Sequence, residues 1–186
     1  MILLDPDLKV DAFAATHAAG RVPASTSLKD AREDGLPSVR SLARFLAEAQ
    51  AAVRLRGNVS VLLTTDAAIR RLNRQFRGLN KATDVLSFPA GGPAADGIAG
   101  DLAISVPIAR HQGAAHGHTL GVELKVLMLH GLLHLAGYDH ESDTGQMARR
   151  ERLLRGRLGL PLGLIERVAT TGAAISKRKS RGMGAA

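Results

Sequence analysis

The segment that most restricts the fold of this chain is VLMLHGLLHLAGY, from Val126 to Tyr138. It is apolar almost all round a helix, which places it inside a core, and it falls well short of the ~20 residues needed to cross a bilayer. Two histidines interrupt it at a spacing of four, so His130 and His134 lie one above the other on a single helix face. Gly137 then supplies a left-handed stop that lets the chain reverse, and the reversal can swing His140 over the same point. The sequence contains no cysteine, so a metal here must be held by imidazole or carboxylate, and neither disulfides nor thiolate ligands are available. Three imidazoles leave a fourth tetrahedral position open, as in a catalytic site; a structural ion is more often closed by four protein ligands. Asp139, Glu141 and Asp101 stay open as further ligands.

The rest of the chain is expected to build an α+β domain, a small mixed sheet packed with helices. Val39, Leu42, Leu46, Ala49 and Val53 recur at three and four, giving a helix from Ser38 to near Gly57. Val59 to Leu63 reads as a strand, followed by Thr65 and Asp66 as N-caps of a helix that presents Ile69, Leu72 and Phe76. Val85 to Phe88 and Leu102 to Ser105 read as two more strands, joined in a hairpin by the glycine-rich AGGPAADGIAG. Pro107 opens a short helix, Thr119 caps the histidine helix, and a last helix spans about Asp143 to Leu158. Residues 20–37 read as a loop.

The expected domain covers residues 1–170, with a disordered basic tail over 171–186, where Lys177, Arg178, Lys179 and Arg181 stand among Gly, Ser and Ala. Overall, 25 Lys and Arg against 17 Asp and Glu give a net charge of +8, which favours polyanions such as nucleic acid or an anionic membrane surface. The N-terminus MILLDPDLKV has acidic residues where a secretory signal has basic ones, so a cytoplasmic protein without membrane attachment is expected.

The spacing H-x-x-x-H-x-x-x-x-x-H also occurs in metzincin proteases, but those carry a Glu after the first histidine to activate water. Here that position is Gly131, which weakens a peptidase reading. The segment HGLLHLAGYDH, His130 to His140, instead resembles the H-G-x-L-H-L-x-G-Y-D-H of the YbeY endoribonucleases of bacteria. Asn73, Phe76, Arg77 and Gly78, then TDVLSFP from Thr83 to Pro89, and Gly100-Asp101 resemble further blocks of that family. The resemblance covers roughly the half of the chain from Val59 to Glu151.

What the resemblance implies is a single-strand-specific, metal-dependent endoribonuclease with a fold related to the metzincins. Its expected roles are maturation of ribosomal RNA, at the 3′ end of the small-subunit RNA, and ribosome quality control. The ligands carry over to His130, His134 and His140 and the functional arginine to Arg77, with zinc the usual ion; three imidazoles also suit nickel and copper. The partners implied are single-stranded RNA and the small ribosomal subunit. Asp139 and Asp101 are candidates to orient a ligand imidazole, and Tyr138 either stacks on a base or packs on the sheet. Thr83, Asp84 and Ser87 are peripheral candidates, and His111, His116 and His118 are expected on the surface. Two other readings stand beside the nuclease: a metal-dependent hydrolase of another substrate, such as a peptide, and a ribosome assembly factor with a structural metal.

Overall fold

A computed structural model describes residues 1–8, 35–91, 97–140 and 142–161 of the chain. The elements in order are β1 (Ile2–Leu4), α1 (Val39–Val53), β2 (Asn58–Thr64), α2 (Asp66–Arg77), β3 (Val85–Pro89), β4 (Ile98–Ser105), α3 (Val106–Ala115), α4 (Leu120–Leu135) and α5 (Gln146–Leu158). Contacts gather them into two compact units, Met1–Gly137 and Tyr138–Ala186. The expected basic tail and most of the expected loop lie outside the described residues.

The first unit is built on one four-stranded sheet in the order β1-β2-β4-β3. β1 and β4 run parallel to β2, and β3 pairs antiparallel with β4, placing Ser87 opposite Leu102 and Phe88 opposite Asp101. The sheet is therefore mixed, and the fold is α+β as the sequence led us to expect. β1 is a strand that the sequence reading lacks; its Asp5 amide donates to the Leu63 carbonyl at 2.9 Å just past the pairing with β2.

Side-chain oxygens of Ser38, Thr65, Ser105 and Thr119 cap α1 to α4, each accepting an amide hydrogen bond of the first turn. Thr65 and Thr119 are the caps read from the sequence. β4 begins at Ile98, inside the segment expected to be loop. Gly100 explains the disguise: with φ 144°, a Cβ there would stand 2.4 Å from the Phe88 carbonyl oxygen, so glycine serves the close approach of β3.

The two faces of the sheet are covered differently. On one, Ile69 of α2 packs with Leu86 and Ala103, bordered by Leu72, Ala82 and Phe88. On the other lies α4, contacted also by α1 and α3 and buried around nearly its whole circumference. A helix apolar on all sides must sit within the core, and α4 does.

In the second unit, the carboxylate of Asp143 accepts amide hydrogen bonds from Gly145, Gln146 and Met147 at 2.7, 3.0 and 2.7 Å. Asp143 thus stands ahead of α5 and caps it; it is not helical, as the sequence reading had it. Within α5, Glu151 and Arg155 form a buried ion pair at 3.2 Å.

Candidate metal centre

His130 and His134 occupy the last turns of α4. His130 is buried and His134 half-buried, and their Nε2 atoms approach to 3.2 Å. The rings meet edge to face, with centroids 4.8 Å apart and planes at 71°. A tetrahedral ion bonded to imidazole nitrogen at about 2.0–2.1 Å sets its ligand atoms about 3.3–3.4 Å apart. The observed separation therefore matches one edge of such a site, and the donor set of uncharged nitrogens fits a transition metal. Helix spacing alone brings the two rings together, as the sequence requires.

Gly131 is where α4 meets the sheet. A Cβ at this position would lie 2.7 Å from Leu102 Cδ2 and 3.3 Å from Ser87 Oγ, and Leu102 is only 1% exposed, so it has little room to withdraw. Ser87 donates to the Gly131 carbonyl at 3.4 Å. A side chain here requires the buried Leu102 to shift, so the position is not built to hold the general base of a metzincin-type peptidase.

His140 lies in the second unit and is exposed, in the turn that follows Gly137, whose φ of 88° is the left-handed conformation expected from the sequence. Asp139 is half-buried; its carboxylate accepts from Ser142 Oγ at 2.9 Å and its carbonyl from the amides of Ser142 and Asp143. It therefore shapes the turn that carries His140. Tyr138 is half-buried at the start of the same unit.

Strand alternation decides the position of Asp101. Leu102 faces Gly131 of α4, so Asp101, one residue earlier, shares the opposite face with Phe88 and Ala103. That face belongs to α2, and the imidazoles of α4 lie beyond the sheet. Arg77 closes α2 on that same side and is exposed, making no ion pair or side-chain hydrogen bond with another described residue. β3, the strand that follows Arg77 in the chain, is one of the two edge strands of the described sheet.

The remaining candidates resolve into local structure. Asp84 accepts from Thr83 Oγ1 at 3.1 Å, the Val85 amide at 2.8 Å and Gln112 Nε2 at 3.0 Å, which is turn chemistry. His111 and His116 are exposed, whereas His118 Nδ1 stands 3.2 Å from the buried Glu123 carboxylate. The sequence reading also passed over Arg70 and Arg74 of α2, exposed on the helix that ends in Arg77; their spacing of four was the available signal.

A mixed sheet backed by a buried helix with two converging imidazoles defines an α+β protein built around a helix able to ligate a metal. Comparison with known proteins gives the family: the model of endoribonuclease YbeY matches residues 29–159, and the chain belongs to that family. An endoribonuclease YbeY of Koribacter versatilis is 51% identical over 144 residues, 77% of this chain and 93% of its own. One of Solibacter usitatus is 53% identical over 128 residues, 69% of this chain and 84% of its own. A solution structure from Thermotoga maritima covers 67% of this chain and 85% of its own at 29% identity, with a TM-score of 0.47. No helix among the described residues is long and apolar enough to cross a membrane.

Proposed function

We propose that this chain is a zinc-dependent endoribonuclease that cuts single-stranded RNA. In this reading it acts in the cytoplasm on ribosomal RNA at the small subunit, in 3′-end maturation and in ribosome quality control. The observation that carries the reading is a set of convergent imidazoles. His130 and His134 of α4 bring their Nε2 atoms to 3.2 Å, and the family's motif adds His140 as the third donor. Membership of the endoribonuclease YbeY family supports RNA over other substrates, and Gly131 speaks against a peptidase because it stands where the water-activating Glu would be and packs against Leu102.

His130, His134 and His140 would hold the ion, which when bound supplies Lewis acidity to a phosphoryl oxygen. Asp139 positions rather than ligates, because it orders the turn on which His140 stands. Three neutral ligands leave the ion's positive charge uncompensated by carboxylate, which suits a phosphodiester that gains negative charge during cleavage. Arg77, exposed at the end of α2, is assigned to a phosphate of the strand, since a guanidinium binds two oxygens at once. An RNA strand that engages both Arg77 and the imidazoles passes along the outer side of β3.

The test separates Arg77→Ala from His134→Ala in highly purified protein cutting single-stranded RNA. Both are expected to lose at least tenfold in cleavage rate while circular dichroism shows a folded chain, and the end groups of the products identify the nucleophile. Normal cutting by Arg77→Ala, together with unfolding of His134→Ala, would instead indicate a structural ion in a ribosome assembly factor.

A further inference from the structure

α2 carries four arginines in twelve residues, at positions 70, 71, 74 and 77, against one acid, Asp66. At 100° per residue, Arg70, Arg74 and Arg77 fall within an arc of about 60°, and they extend about 10 Å along the axis. All three are exposed, while Ala68, Ile69 and Asn73 are the buried residues of the helix. The acid does not neutralise this row: Asp66 sits in the first turn, where Ser105 Oγ donates to it at 2.5 Å. Arg71 stands apart, on the side of the helix toward Asp5, whose carboxyl its charge helps to lower. Arg70, Arg74 and Arg77 make no ion pair or side-chain hydrogen bond with another described residue.

Like charges at spacings of three and four destabilise a helix by a few tenths of a kcal/mol each, so an unrelieved row costs the fold something and offers an anion a ready site. Phe76 lies beside the end of this row but about 100° round the helix from Arg77, on the side of Ile69 and β3. It is 59% exposed although its ring also makes an edge contact with Phe88, the centroids 5.0 Å apart. A row of guanidiniums flanked near its end, on the side toward β3, by an exposed aromatic ring fits a polyanion whose bases are free to stack, which is single-stranded nucleic acid; a duplex keeps its bases inside.

We propose that Arg70 and Arg74 form a phosphate track that guides single-stranded RNA along α2 to Arg77, with Phe76 stacking on a base where the strand leaves α2 toward β3. The track rests on the ribonuclease reading for the identity of the strand. It concerns binding, and it assigns Arg70 and Arg74 no part in bond cleavage.

The experiment measures binding of a labelled twelve-nucleotide single-stranded RNA with 2′-O-methyl riboses at several salt concentrations, and cleavage of the unmodified RNA. The proteins are the wild type, Arg70→Gln/Arg74→Gln, Phe76→Leu, and Arg40→Gln/Arg44→Gln, which removes the same charge from the exposed side of α1. Each single-strand phosphate contact contributes about 0.7 to the slope of log Kd against log salt, so the α2 pair is expected to lower that slope by about 1.4. KM should rise in parallel with kcat within twofold of wild type. Phe76→Leu should weaken binding about fivefold or more with little change in slope, and the α1 pair should leave both slope and KM near wild type. An unchanged slope in the α2 pair overturns the track, and so does an equal loss in the α1 pair, because the effect would then be one of net charge. If wild type binds with the full slope but does not cut, the ribonuclease reading fails while the track stands.

Discussion

At residue scale, the packing around Gly131 decides more about chemistry than any charged group nearby. Two histidines at a spacing of four announce a metal helix in many hydrolases, and the residue after the first usually reveals the reaction. Here that residue is pinned between Leu102 and Ser87. We predict that Gly131→Ala destabilises the protein by about 1–3 kcal/mol, the ordinary cost of an added methyl in a full core, read as a lower denaturant midpoint. A variant as stable as wild type would show that Leu102 yields and that steric closure is not why glycine stands there. The sequence displayed the glycine but not the leucine that explains it, since residues 102 and 131 meet only through the packing of α4 on β4. The histidine pair was legible for the opposite reason: helix geometry alone fixes it. Asp101 was a candidate to orient an imidazole and belongs to the separate Gly100-Asp101 block, and strand parity turns it to the face away from α4.

At the scale of elements, the helices were readable because their caps and periodicities are local, and the strands less so. β1 has three residues, of which only Ile2 is buried, too short a pattern for alternation to register. The start of β4 hid inside a glycine-rich string whose Gly100 is required by a neighbouring strand. β1 is nonetheless tied down by more than its ladder. Thr64 Oγ1 donates to the Asp5 carboxylate, and that bond, followed by the Asp7 amide, holds the Asp5 carboxyl below its ordinary value. A carboxyl lowered in the folded state adds stability above its unfolded value, near pH 3.9, and loses that contribution as pH falls through the folded value. The stability advantage of wild type over Asp5→Asn should therefore be full at pH 7 and shrink below about pH 4, as measured by urea unfolding at pH 7, 5 and 3. An advantage that does not change with pH would mean that ionised Asp5 contributes nothing to holding β1.

At the scale of the whole molecule, the fold and the function lie on different sides of what composition can say. A net charge of +8 pointed toward polyanions without locating them; the structure gathers part of that charge into one row on α2, on the sheet face away from the histidine helix. The sheet holds these two functions apart, and the substrate strand has to join them. The central claim is that three imidazoles hold one ion, and metal analysis of protein purified without an affinity tag tests it most directly. The account predicts about one equivalent of zinc per chain in the wild type and a loss of most of it in both His134→Ala and His140→Ala, with each variant still folded. A wild type that carries no transition metal, or a folded His140→Ala that keeps its full equivalent, would contradict it.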